Sequence, residues 1–138
     1  MMGGNISGAG TNVIKIQGVK TLSGTEYTPI PDRIEAGTYL IAVAATAGEA
    51  VINNVIPEHL KSITAKLEES GAVIEEDDHS IHIKREGKIK PVYIKTLPYP
   101  GFPTDMQAQI MAYLSFANGT SVISELFLKI DSCMSKNY

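Results

Sequence analysis

The 138-residue chain has one cysteine, Cys133, which excludes an internal disulfide and a cysteine-built zinc cluster. Its three histidines, His59, His79 and His82, lack ligand spacing and read as solvated surface rather than metal ligands. Positive charge is not in excess. Twelve Lys and Arg against 15 Asp and Glu leave −3, whereas a nucleic-acid binder needs a basic stripe with aromatics between. No apolar run approaches the roughly 20 residues of a spanning helix. The N-terminus, Met1-Met2-Gly3-Gly4, lacks the charged-then-apolar form of a signal peptide. What remains is an ordinary globular composition, 43% hydrophobic and 20% charged, with enough chain for a real core. No metal, no cofactor, no nucleic acid and no membrane are expected; a cytoplasmic location is.

Residues 1–10 are rich only in glycine and read as a frayed end. Val13–Gln17 is a short strand with Ile14 and Ile16 on one face, and Glu26-Tyr27-Thr28 reads as another. From Asp32 the pattern turns helical, with Ile34, Gly37, Ile41 and Ala44 or Ala45 at spacings of three and four. This segment carries almost no charge after Glu35, so it belongs inside a domain. Ala50–Ile52 is a strand, and Pro57 to Glu69 a helix with Leu60, Ile63 and Leu67 inward, stopped at Ser70-Gly71. Val73–Glu75 and Ser80–Lys84 alternate as a hairpin, and the acidic run Glu75 to Asp78 is its solvated turn. Val92–Ile94 and Thr120–Ser124 are the last strands.

Between those two strands lies a stiff arm. Three of the seven prolines, Pro98, Pro100 and Pro103, fall within six positions, and proline fixes φ and removes a donor. The arm ends in Thr104-Asp105, followed by Met106, Ile110, Tyr113, Leu114 and Ala117 at helical spacing. Asp105 has two readings. It caps the helix that follows, or the arm delivers its carboxylate for chemistry. The same device occurs earlier, as Pro29-Ile30-Pro31-Asp32-Arg33.

That recurrence is part of a wider repeat. Residues 2–6 parallel 70–74, Ile14–Ile16 parallels Ile81–Ile83, Pro31-Asp32 parallels Thr104-Asp105, and Gly48–Ile52 parallels Gly119–Ile123. The spacing is about 70 residues each time, in the order βαβαββ. Such a unit is entered and left part-way, so the chain is expected to be a piece of something larger.

Three stretches then carry a resemblance: Ile30–Thr38, Asn54–Leu60 and Lys95–Gln107. Together, over residues 2–125, the chain resembles the UDP-N-acetylglucosamine 1-carboxyvinyltransferases, bacterial enolpyruvyl transferases of peptidoglycan synthesis related to 5-enolpyruvylshikimate-3-phosphate synthase. The resemblance implies an α/β (α+β) fold of inside-out βαβαββ units, with helices buried and sheets outside, here incomplete. It implies residues 1–28 as the remnant of one domain's last unit, and 29–125 as one complete and one partial unit of a second. The implied reaction moves the enolpyruvyl group of phosphoenolpyruvate to the 3-hydroxyl of UDP-N-acetylglucosamine and releases phosphate. By the same resemblance Asp105 is the base at that hydroxyl and Thr104 lies beside it. Asp32 and Arg33 match the pair near the cleft. A carboxylate suits a hydroxyl and a guanidinium suits phosphate.

The sequence also departs from that family. The lysine–asparagine pair, the mobile loop with the reactive cysteine, the nucleotide-contacting residues of the first half and the C-terminal arginines have no counterpart in these residues, and Cys133 lies outside every matching motif. The expectation is therefore a chain inactive alone, with at most a partial sugar-nucleotide half-site. After Glu125 the family continues Thr-Ile-Phe-Glu-Asn-Arg-Phe-Met-His-Val. One base removed from a coding sequence for that run continued by Lys-Asn reproduces Leu126 to Asn137, so residues 126–138 read as an out-of-frame tail. The apolar helix from Arg33 to Thr46 loses neighbours in such a piece, and a homodimer or higher oligomer is expected.

Overall fold

In the computed structural model, residues 2–125 are described; the expectations for 126–138 and Cys133 lie outside them. The chain divides into two compact units, Met1–Ile30 and Pro31–Tyr138. The first holds an antiparallel pair, β1 (Asn5–Ser7) and β2 (Lys15–Gln17), in the register Asn5↔Gln17 to Ser7↔Lys15. The expected frayed end therefore contains a strand. Asn5 donates to the Gln17 side chain at 2.8 Å, and Ile6, Ile14 and Ile16 all stay exposed. Glu26–Thr28 is not a strand, which corrects the sequence reading. A three-residue alternation ahead of proline marks extended backbone, but a strand also needs a hydrogen-bonded neighbour, and none is bonded there.

The second unit follows the expected order closely. Helix α1 (Arg33–Ala45) leads to β3 (Glu49–Asn53). A 3-10 turn at Pro57–Leu60 then runs into α2 (Lys61–Glu69), so the expected single helix starts with a tighter turn. β4 (Ala72–Asp77) and β5 (Ser80–Arg85) close through Asp78-His79 into the hairpin. β5 is central, so the sheet runs β3-β5-β4, antiparallel throughout. β6 (Tyr93–Lys95) pairs in parallel with β7 (Val122–Ser124), and α3 (Gln107–Leu114) lies between them in sequence.

The apolar positions that set the helical period meet in one core. Leu40, Ala44, Leu60, Ile63, Leu67, Ile81, Ile83, Ile94, Met106 and Ile110 are fully buried. α1 buries one side, through Ala36, Gly37, Leu40, Ile41 and Ala44, and leaves Glu35, Tyr39, Ala42 and Thr46 exposed. It is thus less enclosed than an all-round apolar sequence suggests. Two polar devices close the interior. The buried Arg85 guanidinium donates to Ala44 O at the end of α1 and to Gly87 O, placing positive charge at the helix C-terminus, where the macrodipole favours it. Ser70 Oγ donates to Leu67 O at 2.6 Å and accepts the Tyr113 hydroxyl at 2.7 Å.

The outer face of the β3-β5-β4 sheet is polar. His82 lies 3.0 Å from Glu49 and 3.7 Å from Glu75, so it is paired rather than simply solvated. Its hydrogen bond, then those and the charge of Lys84, hold the Glu49 carboxyl below its ordinary range. A depressed carboxylate favours the folded state above its unfolded pKa, and that contribution is lost as pH falls through the lowered value. The acidic run is mostly strand rather than turn, since Glu75, Glu76 and Asp77 lie in β4, and Glu76 pairs with Lys61. No cluster of His, Cys, Asp or Glu fit to hold a metal occurs among the described residues. Nor is any described helix long and apolar enough to cross a membrane.

Tyr113→Phe tests the interior pairing. Removing the phenol leaves Ser70 with an unfilled acceptor in the core, so urea denaturation is expected to show a loss of about 1–2 kcal/mol.

Candidate functional site

α1 begins where Asp32, in extended conformation, turns its carboxylate onto the Ile34 backbone N–H at 2.7 Å. That bond satisfies one of the orphan donors of the first turn. Asp32 is therefore a helix cap, with one oxygen committed to the backbone. Arg33, next in the chain, places its guanidinium carbon 5.0 Å from the centre of the Tyr99 ring. His59 meets the same ring edge-on, with centroids 6.2 Å apart. A cation over an aromatic face and an edge-to-face ring pair are both attractive through the ring quadrupole.

Tyr99 is the tip of the proline-rich arm. The arm leaves β6 at Thr96, whose N–H donates to Ser124 O at 3.0 Å. Leu97 to Gly101 then form a closed excursion. Leu97 N–H bonds Phe102 O at 3.0 Å, Gly101 N–H bonds Pro98 O at 2.8 Å, and Thr96 bridges Phe102. A Cβ at Gly101 would fall 2.5 Å from Leu97 Cβ, so this fold-back needs glycine. The Tyr99–Pro100 peptide is cis. Ser62 of α2 donates to Gly101 O at 3.1 Å, tying the excursion to a second helix.

The arm then delivers Phe102 and Pro103 into the protein and Thr104 and Asp105 to its surface. Here the structure separates the two readings of Asp105. Thr104–Met106 is a 3-10 turn whose N-cap position is Pro103, and α3 starts after Met106; neither has a side-chain cap. Asp105 caps no helix. Its carboxylate, like the Thr104 hydroxyl, makes no hydrogen bond or ion pair among the described residues. Where the repeat makes Asp32 a cap, Asp105 is the second residue of a tighter turn, and its oxygens have no partner among the described residues.

What holds Asp105 in place is its neighbour. Met106 is fully buried against α1, and its sulfur lies 3.8 Å from Thr38 Oγ1, which donates its proton to Ile34 O at 2.7 Å. Gln109 Nε2 bonds the same Thr38 oxygen at 3.2 Å. The structure thus brings the first turns of α1 against the turn that carries Asp105. It does not link Asp105 or Thr104 to Asp32 or Arg33 by any direct bond among the described residues. Beside Asp32, a cleft of about 290 Å³ opens between α1 and β3, lined by Glu35, Tyr39, Ile52 and Asn54 among others. Tyr99, His59, Thr38 and Gln109 escaped the sequence reading. Tyr99 alone carried a signal, an aromatic ring held between prolines.

The enolpyruvyl transferase NikO from Streptomyces tendae shares the fold: the TM-score is 0.71 at 22% identity, over 90% of this chain and 30% of that one. Sequence places the chain more narrowly. The EPSP synthase (3-phosphoshikimate 1-carboxyvinyltransferase) family model matches residues 1–128, and the chain belongs to that enolpyruvyl transferase family. UDP-N-acetylglucosamine 1-carboxyvinyltransferases 3 and 1 of Caldanaerobacter subterraneus subsp. tengcongensis are 59% and 57% identical to it over 124 residues, 90% of this chain. A UDP-N-acetylglucosamine 1-carboxyvinyltransferase of Desulfofundulus thermocisternus is 54% identical over 125 residues and is covered to 51%. The chain spans about 30% of the length of the two Caldanaerobacter relatives.

The contrast between the two aspartates gives a stability test. Asp32→Ala removes a cap and is expected to cost about 1 kcal/mol by urea denaturation. Asp105→Ala, which breaks no bond in the fold, is expected to stay within about 0.5 kcal/mol of the parent.

Proposed function

We propose that this chain carries the acceptor-hydroxyl side of an enolpyruvyl transferase site for UDP-N-acetylglucosamine, with Asp105 as the base at the sugar 3-hydroxyl. The observation that supports this most is the free carboxylate of Asp105 at the end of a braced arm. A carboxylate that caps a helix has its lone pairs committed; one with no partner can accept a hydroxyl proton. Thr104 stands beside it as a further hydrogen-bonding group. Arg33 offers a guanidinium to phosphate or to a carboxylate, and Asp32 holds the helix that presents it. In the whole enzyme these groups would act on the enolpyruvyl group of phosphoenolpyruvate in peptidoglycan synthesis, in the bacterial cytoplasm.

Taken by itself, the 138-residue chain binds at most part of the sugar nucleotide and does not turn over. Charge argues for this. The sequence has two arginines; Arg85 is buried on the Ala44 and Gly87 carbonyls, which leaves Arg33 as the one arginine near the arm. Two anionic substrates need more positive charge than that. We assign residues 1–28 to one domain's last unit and 29–125 to the second domain.

Titration with UDP-N-acetylglucosamine followed by NMR tests the reading. Millimolar binding is expected, weakened at least about tenfold in Asp105→Ala, the scale of one lost hydrogen bond to a charged group. Unchanged affinity in that variant would remove Asp105 from the site. With phosphoenolpyruvate added, no phosphate release is expected from this chain.

A further inference from the structure

Gln109 follows Asp105 by four positions and stands in the first turn of α3, where its side chain meets the Thr38 hydroxyl of α1. Thr38 donates its proton to Ile34 O at 2.7 Å, so its oxygen has only lone pairs left to offer. That fixes the Gln109 amide with Nε2 toward Thr38, at 3.2 Å, and Oε1 away from it. Oε1 is then buried with no hydrogen-bond partner among the described residues. The atoms that cover it are this chain's own.

A buried acceptor without a partner is a cost to the fold. Methionine has nearly the same length and shape, would bring no polar atom, and would leave Thr38 still bonded to Ile34 O. The amide at 109 therefore does not serve stability. What it adds is direction: apolar contact lets two helical turns slide, whereas an N–H···O bond fixes their relative position. That bond joins α1 to the start of α3, and the 3-10 turn that carries Asp105 runs directly into α3. The repeat makes the same distinction. Four positions after Asp32, which caps α1, stands Ala36, buried and without a polar side chain. Four after Asp105, whose carboxylate has no partner among the described residues, stands Gln109.

We propose that Gln109 is a positioning residue for Asp105, holding the turn at 104–106 against α1 through Thr38 so that the carboxylate meets an acceptor hydroxyl at a fixed place. The proposal rests on the reading of Asp105 as the base. Gln109 itself touches no substrate, because its nitrogen is bound to Thr38 and its oxygen is enclosed. Its effect on binding passes through Asp105.

Gln109→Met and Asp105→Ala, singly and together, test this. Gln109→Met is expected to unfold at the same urea concentration as the parent or higher. It is expected to bind UDP-N-acetylglucosamine about three- to tenfold more weakly, the range of one neutral hydrogen bond. In the Asp105→Ala background the same change is expected to weaken binding no further, since a residue that acts through another adds nothing once that other is gone. Thr38→Val, which removes the acceptor, is expected to repeat the loss, and Thr38→Ser, which keeps it, to bind like the parent. Without ligand, the order parameter of the Asp105 amide in Gln109→Met is expected to fall by about 0.1 or more from the roughly 0.85 of rigid backbone, with that of Asp32 unmoved. An unchanged order parameter overturns the proposal, as does a loss in the double variant equal to the product of the two single losses. Parent-like binding by Gln109→Met, beside weakened binding by Asp105→Ala, overturns the proposal alone. A parent that does not bind, or an Asp105→Ala variant that binds like the parent, refutes the reading of Asp105 as base and with it this role for Gln109.

Discussion

The missing side chain at Gly37 is the constraint on which the placement of the site depends. A Cβ there would fall 2.8 Å from Ile63 Cδ1 and 3.0 Å from Met106 Cε, so the ends of these two buried side chains would have to shift to admit it. Because Gly37 leaves that space, Met106 buries completely and Thr38 reaches its sulfur. Met106 is the residue after Asp105. A packing contact between two helical segments thereby fixes a surface carboxylate to within a residue. Overpacking a core contact of this kind costs about 1–3 kcal/mol.

The two Pro-rich crossovers show how one device yields two roles. Each ends a stiff segment in an aspartate and starts a helix. In the first, three residues lead from Thr28 to Asp32, and the aspartate lands on the helix N-cap. In the second, the excursion from Leu97 to Gly101 is closed by its own hydrogen bonds and tied to α2 through Ser62. The chain re-enters one position out of phase, and a 3-10 turn takes up the difference. Asp32 is consumed by structure, and Asp105 is left without a bonding partner among the described residues. Arg33, Tyr99 and His59 join the two crossovers at the tip, so the arm is braced at its far end as well as at Met106.

Much of this was legible in the sequence because it is local. The start of α1 at Asp32, the stop at Ser70-Gly71, the alternation of Ile81 and Ile83, and the burial of Ile110 and Tyr113 follow from caps and periodicity. The misses are non-local. Glu26–Thr28 has strand composition, but composition cannot supply a bonded neighbour. Asp105 has cap chemistry, but whether it caps depends on the phase in which a ten-residue arm returns, set by contacts with α1 and α2. His59 reads as surface until Tyr99 is brought against it from 40 residues away. The candidate site was found by its motif, and its geometry was not in the motif.

The central claim is that of two aspartates related by the repeat, one is structural and the other free to meet a sugar hydroxyl. Carboxyl carbon NMR on addition of UDP-N-acetylglucosamine tests it most directly, since each aspartate reports separately. The account predicts a saturable shift of the Asp105 carboxyl resonance with that of Asp32 unmoved. A saturable shift at Asp32 with Asp105 silent would contradict it.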